Sequence, residues 1–255
     1  MSRYPVTPVH YAKALLKYVD VRQPVQMGDI VKQIGLRIRL VPSNGFDGAL
    51  VRLAGLPKGI IAIRDSMETS RKRFTTAHEI GHYVLPGHET EYSVCGSKDV
   101  GLLSDDADKL ERAANEFAGE LLMPSLVVRR IVKKFGVSMN TCKFIRDQFQ
   151  VSLTAAAVKC MEVTNRRAAL LVIEGGIFKR YKRSNYFDET FKISLGSPIS
   201  EKSLASQLSV SGEPEKSGRV DADAWIDVPI REVGIDEESL LMPKYKTILT
   251  LLTLP

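Results

Sequence analysis

Residues 74 to 85 read Phe-Thr-Thr-Ala-His-Glu-Ile-Gly-His-Tyr-Val-Leu, and His78 and His82, four apart with Glu79 between them, constrain this chain more than any other stretch. On an α-helix residues i and i+4 stand one above the other on the same face, so both imidazoles can converge on one ion. That is a zinc-site pattern. A catalytic zinc takes three protein ligands and leaves the fourth position to a water whose pKa falls to about 7. Glu79, one step round the helix, reaches such a water without being a ligand, which makes it the candidate acceptor of the proton. The pattern carries weight only inside a convincing helix and with a third ligand downstream.

The flanking sequence meets both conditions. A helix is expected from about Asp65-Ser66 to Leu85, stopped by Pro86-Gly87. Phe74, His78, His82 and Leu85 share one face, and Ala77 and Gly81 form a small-residue groove where another element can approach. Arg71, Lys72 and Arg73 read as a solvated turn. Upstream, residues 8 to 34 carry two short helical patterns, and three β-like runs follow at 36–41, 48–53 and 59–63, separated by turn residues. They suggest a small sheet beside the helix, which either offers an edge strand to an extended peptide or merely covers the helix.

Residues 86 to 103 read as a loop. Ser104 with Asp105, Asp106 and Asp108 starts a second helix, with a capping hydroxyl and carboxylates facing its dipole. Along it Glu111, Asn115, Ala118 and Leu122 fall on one side, the side that would be buried against the first helix. A carboxylate there is costly unless it is paired or bound to metal, so Glu111 is the candidate third ligand. Glu116 and Glu120 fall on the exposed side with Arg112. Asn115, one turn after Glu111, either fixes the tautomer of a ligand histidine or is packing polarity. In the loop, His88 and Tyr92 are candidates to stabilise the oxyanion of a tetrahedral intermediate, or ordinary loop residues. Cys95 has two readings as well. A thiolate brought to the ion would take the water's position and hold an enzyme latent, whereas the plainer reading is a loop cysteine.

Two motifs together, Arg-Phe-Thr-Thr-Ala-His-Glu-Ile-Gly-His at 73 to 82 and Glu-x-x-x-Asn-x-Phe-Ala-x-x-Leu-Leu-Met-Pro at 111 to 124, make the chain resemble the ImmA/IrrE-type metallopeptidases. Many relatives carry a second acid two residues before the Asn, and here that position is Ala113. The resemblance implies a zincin-like domain in which His78, His82 and Glu111 bind zinc and Glu79 is the general base. It implies limited proteolysis of a separate helix-turn-helix repressor, releasing stress-response or mobile-element genes. It also implies a GAF-like sensor domain at the C-terminal end, able to receive a signal or dock a partner.

Beyond Pro124 the chain turns helical and basic. Phe-Gly-Val-Ser at 135–138 recurs as Phe-Gln-Val-Ser at 149–152, each serine able to cap a helix, which gives three short helices near 125–134, 139–148 and 153–163. Lys133, Lys134, Lys143, Arg146 and Lys159 make the arrangement similar to a helix-turn-helix. No single helix gathers a base-reading set of Arg, Asn and Gln, so packing or a protein partner is favoured over DNA. The remainder reads as β: a hairpin at 168–174 and 177–182 around Gly175-Gly176, then runs at 191–195, 225–229 and 245–254, with a mobile loop from Ser209 to Asp223.

These pieces amount to an α+β chain: a zincin-like metallopeptidase domain with a small upstream sheet over 1–124, a helix-turn-helix-like segment over 125–165, and a mixed α/β GAF-like domain over 166–255. The expected cofactor is Zn2+, with Mn2+ and Fe2+ also acceptable to His and Glu ligands. The net charge of +6 is too modest to establish nucleic-acid binding. Three scattered cysteines exclude a disulfide framework, and no apolar run is long enough for a membrane span or signal peptide, so the expected compartment is the cytoplasm. The rival reading is a metal-stabilised regulator that binds a repressor or DNA without cutting.

Overall fold

The computed structural model describes residues 6–19, 23–52, 59–88, 92–96, 108–188, 190–227 and 234–255. Two compact units divide the chain, Met1–Val127 with Ile145–Ala155, and Val128–Phe144 with Ala156–Pro255. Among the described residues the architecture is mixed α and β with one sheet in each unit. No described helix is long and apolar enough to cross a membrane.

In the first unit helices α1 (Pro8–Val19) and α2 (Met27–Gln33) lead into β1 (Arg37–Val41), β2 (Gly48–Arg52) and β3 (Gly59–Arg64). After α3 (Thr69–Val84) comes a fourth strand, β4 (Tyr92–Cys95), and then α4 (Lys109–Leu122). Sheet order is β1-β3-β2-β4, with β1 parallel to β3 and β2 antiparallel to both its neighbours. Helix α3 packs on β2, β3 and α4, and α1 packs on α4. Every residue of α3 from Arg73 to His82 is buried, the polar ones included. The groove expected at Gly81 is filled by α4: a Cβ there would stand 3.2 Å from the Ala114 Cα and 3.2 Å from the Phe117 ring.

Several local expectations are corrected. Helix α3 begins at Thr69, not at 65, because the Asp65 amide donates to Val41 O at 3.0 Å and keeps the chain tied to β1. It stops at Leu85, which is extended ahead of Pro86. The stretch 86–103 is not all loop, since β4 pairs with β2 in the register Gly48↔Cys95. Ser104 lies outside the described residues, and the described cap of α4 is Asp108, whose carboxylate accepts from Leu110 N and Glu111 N. Glu120 is buried, not exposed: its carboxylate accepts from the Ser125 amide and hydroxyl at the start of the next helix. Arg71 and Arg73 are not a solvated turn. Arg71 forks onto the buried Asp47 carboxylate at 2.7 and 3.1 Å, and Arg73 donates to Phe149 O and Gln150 O.

Three helices follow where the Phe-x-Val-Ser repeat places them, α5 (Ser125–Phe135), α6 (Met139–Phe149) and α7 (Leu153–Val163). Ser138 Oγ and Ser152 Oγ accept the amides three residues on, as capping requires. In the second unit β5 (Ala168–Glu174) and β6 (Ile177–Arg183) form the expected hairpin, with Gly175 and Gly176 both at positive φ. Then come α8 (Leu204–Ser211), β7 (Glu215–Asp221), β8 (Gly234–Met242) and β9 (Thr247–Thr253), in an antiparallel sheet of order β6-β5-β9-β8-β7. Leu171, Phe178, Trp225, Ile235 and Leu252 belong to its core. The stretch from Ser209 to Asp223 is therefore a helix end and an edge strand. Of the run 191–195 only Phe191 pairs, in an isolated bridge to Ile226, and residues 228 and 229 of the run at 225–229 lie outside the described residues.

Candidate metal centre

Helix α3 presents His78 and His82 to the same point, and α4 brings Glu111 to meet them. The two Nε2 atoms are 3.0 Å apart; Glu111 Oε2 lies 2.9 Å from His78 Nε2 and Oε1 lies 3.2 Å from His82 Nε2. Ligand atoms bound at ordinary zinc distances of about 2.0–2.2 Å and tetrahedral angles stand roughly 3.3 Å apart. The three donors are therefore spaced as one small divalent ion would space them. Cys95 joins the group from β4, and one ligand atom from each of the four residues lies within 4.8 Å of all the others.

The far side of each imidazole is engaged. His78 Nδ1 stands 3.0 Å from Asn115 Oδ1, and since that oxygen can only accept, Nδ1 carries the proton and Nε2 keeps its lone pair for an ion. His82 Nδ1 stands 2.8 Å from His88 Nδ1. If His82 Nε2 faces the ion, His82 Nδ1–H must donate and His88 Nδ1 must accept. His88 is thus buried behind a candidate ligand, on the opposite edge of its ring from the converging donors. Arg52 holds this corner in place, its Nη2 donating to His82 O at 2.6 Å and to His88 O at 3.1 Å. The guanidinium fills the role of a helix C-cap for α3.

Electrostatics agree with this arrangement. Burial lowers the pKa of His78, favouring the neutral imidazole that a metal needs. Burial alone would raise Glu111, but contacts with the facing His78 and His82 rings, which an ion would replace, outweigh it and hold the carboxyl at about 2.

Glu79 is fully buried and is not among the four clustered donors. Its carboxylate rests on β2 at Gly48, where a Cβ would come within 2.6 Å of Oε1. Gly48 is also the residue opposite Cys95 in the β2–β4 pair, so a side-chain-free position sits between the acid and the thiol strand. Tyr92 pairs with Val51 through its backbone, and its side chain lies outside the described residues. The sequence alone singled out His78, Glu79, His82, Glu111, Asn115, His88 and Cys95. It missed Arg52 and Gly48, for which the only available signals were an arginine ending a strand and a glycine beginning one.

Residues 31–161 match the peptidase M78 family model, described as the IrrE N-terminal-like domain. Among curated proteins the chain is 28% identical over 139 residues to the radiation response metalloprotease IrrE of Deinococcus radiodurans, a stretch that is 51% of this chain and 38% of that protein. To the protein of the same name from Deinococcus deserti it is 29% identical over 139 residues, 51% of this chain and 44% of that one. The matched stretch thus spans less than half the length of either relative. Among solved structures, a Mycobacterium tuberculosis transcriptional regulator superposes with a TM-score of 0.61 at 11% identity, covering 97% of this chain and 75% of that one. That likeness is one of fold.

Proposed function

This chain belongs to the peptidase M78 family, matching its IrrE N-terminal-like domain, and from that premise we propose that it is a zinc-dependent endopeptidase. The observation that carries the reading is the convergence of His78 Nε2, His82 Nε2 and the Glu111 carboxylate within 3.2 Å of one another, with the buried acid Glu79 beside them. Those three residues would hold the ion, and Asn115 and His88 would fix the tautomers of the two histidines. When bound, zinc supplies a Lewis acid that polarises the scissile carbonyl and makes water a nucleophile near neutral pH.

Glu79 takes one proton from the attacking water onto its carboxylate and delivers it to the leaving amine. Its burial suits that exchange, because a carboxyl shielded from solvent carries the proton without losing it to bulk water. A purely structural ion has no use for an acid at this position. The substrate class we propose is a separate helix-turn-helix repressor cut once, in the cytoplasm, with the second unit receiving the signal that triggers cutting. The family resemblance supports that part of the reading.

The test is incubation of zinc-loaded wild type and Glu79→Gln with the repressor-like protein encoded nearest this gene, read by intact mass. A single cut made by the wild type alone, with zinc content unchanged in the variant, is the expected result. Equal output from both proteins would sink the peptidase reading in favour of a non-catalytic regulator.

A further inference from the structure

We propose that Cys95 is the fourth zinc ligand, so that the resting centre is a closed site of His78, His82, Glu111 and Cys95. The Cys95 sulfur lies 3.7 Å from His82 Nε2 and 3.8 and 3.9 Å from the two Glu111 oxygens. A thiolate bound at ~2.3 Å, sharing a tetrahedral ion with nitrogen or oxygen donors at ~2.0–2.1 Å, stands roughly 3.6 Å from each of them. Against His82 and Glu111 the sulfur therefore stands at the distance of a fourth ligand, and it lies within 4.8 Å of the His78 donor, so it faces the vertex that a three-ligand site leaves to water. The strand keeps it there. Cys95 lies opposite Gly48 in the β2–β4 pair, its carbonyl accepts the Asp47 amide at 3.0 Å, and it has no exposed surface.

Binding exchanges one bond for another without a redox step. The thiol S–H bond breaks, its proton leaves to solvent, and a sulfur–zinc bond forms. Two anionic ligands, Glu111 and Cys95, then balance the dication, and a soft thiolate favours zinc over Mn2+ at a site whose other ligands accept either.

The consequence for activity rests on the peptidase reading. Cys95 occupies the position that water and substrate need, so the wild type turns over only from the minor fraction in which the sulfur has moved away. Replacing the side chain by a methyl group makes every molecule open. If the open fraction is about one-tenth or less, cleavage by Cys95→Ala rises by about tenfold or more.

The test has two arms. In the first, metal-stripped full-length protein is titrated with Co2+ and followed by absorption, and the zinc-loaded protein is examined by X-ray absorption. One ion per chain, a sulfur-to-cobalt charge-transfer band that vanishes in the near-isosteric Cys95→Ser, and zinc–sulfur scattering at ~2.3 Å are expected. One ion bound by the wild type with only nitrogen and oxygen neighbours overturns the ligand assignment and leaves the peptidase reading intact. Failure of the wild type to bind any ion overturns both. In the second arm Cys95→Ala and wild type are compared in the repressor assay; an equal or lower rate for the variant overturns the closed site. A sulfur-ligated ion in a protein that cuts nothing, with or without Cys95, keeps the ligand and removes the peptidase.

Discussion

Gly48→Ala disables the proposed general base without touching a proposed metal ligand. The new Cβ stands 2.6 Å from Glu79 Oε1 and overlaps the Thr75 methyl more closely still. Ordinary contact begins near 3.4 Å, so the carboxylate must retreat by about 0.8 Å, and misplacement of a reacting group by about 1 Å costs on the order of 10²-fold in rate. Overpacking of this kind also lowers stability by roughly 1–3 kcal/mol. The two effects separate in the double variant with Thr75→Ser, which deletes the methyl and keeps the hydroxyl. The assay is single-turnover cleavage beside urea unfolding and zinc content, on wild type, Gly48→Ala and the double variant. Zinc content stays at the wild-type level in all three, stability recovers in the double variant, and the rate does not, because the contact with the carboxylate remains. A Gly48→Ala enzyme that cuts at the wild-type rate while folded and zinc-loaded would refute the placement of Glu79 as the working acid.

The other expectations are narrower. Asn115→Leu removes the acceptor for His78 Nδ1–H, and zinc affinity falls by about 10- to 100-fold, measured by competition with a chromophoric chelator; unchanged affinity would assign Asn115 to packing alone. In chelator-stripped protein, His78 is depressed, so stability it contributes above the ordinary histidine value of about 6.5 is lost as pH falls through its folded value. Glu111, depressed to about 2, adds a second loss below the ordinary carboxylate value of about 4.3, and thermal melts against pH lose that lower step in Glu111→Gln. In the second unit the buried Glu237 accepts from Ala205 N, Trp225 Nε1 and Ser239 Oγ. Glu237→Gln turns one of those acceptors into a donor and lowers unfolding free energy by about 2–3 kcal/mol, read by urea denaturation.

Where the sequence was legible, the reason was local geometry. The convergence of His78 and His82 follows from a four-residue spacing, and Glu111 stands out as a carboxylate on a face that has to be buried. The serine caps of α6 and α7 and the Gly175-Gly176 hairpin are equally local. What escaped reading depends on pairing between distant segments. Tyr92–Cys95 is four residues long and becomes a strand only because β2 has a free edge. Strand β7, Glu-Lys-Ser-Gly-Arg-Val-Asp, looks like a loop because it is an edge strand held by backbone bonds to β8. Strand β8 looks too acidic for a sheet, yet Glu237 within it is buried with three donors. Such a carboxylate is costly in the abstract and specified in this fold, a distinction that no window of sequence contains.

The same dependence on distant partners explains why the basic run 71–73 looks solvent-facing in sequence, and it bears on how the candidate centre is held. Positive charge in the first turn of a helix opposes the helix dipole, so Arg71, the third residue of α3, would weaken the helix if it stood alone. Inside the unit Arg71 and Arg73 are tethers. Arg71 shares the buried Asp47 with Arg64 of β3, which ties the start of α3 to its sheet. Arg73 satisfies carbonyls at the end of α6, where Gln150 has a positive φ and the helix leaves oxygens unbonded. Arg52 does the same for the other end of α3, at His82 itself. A helix whose middle ten residues are all buried cannot be positioned by an amphipathic face, so its direction is set at its ends, and arginine supplies the reach and the several donors this needs. Precision at His78 and His82 is in this sense a property of three arginines that are not among the clustered donors.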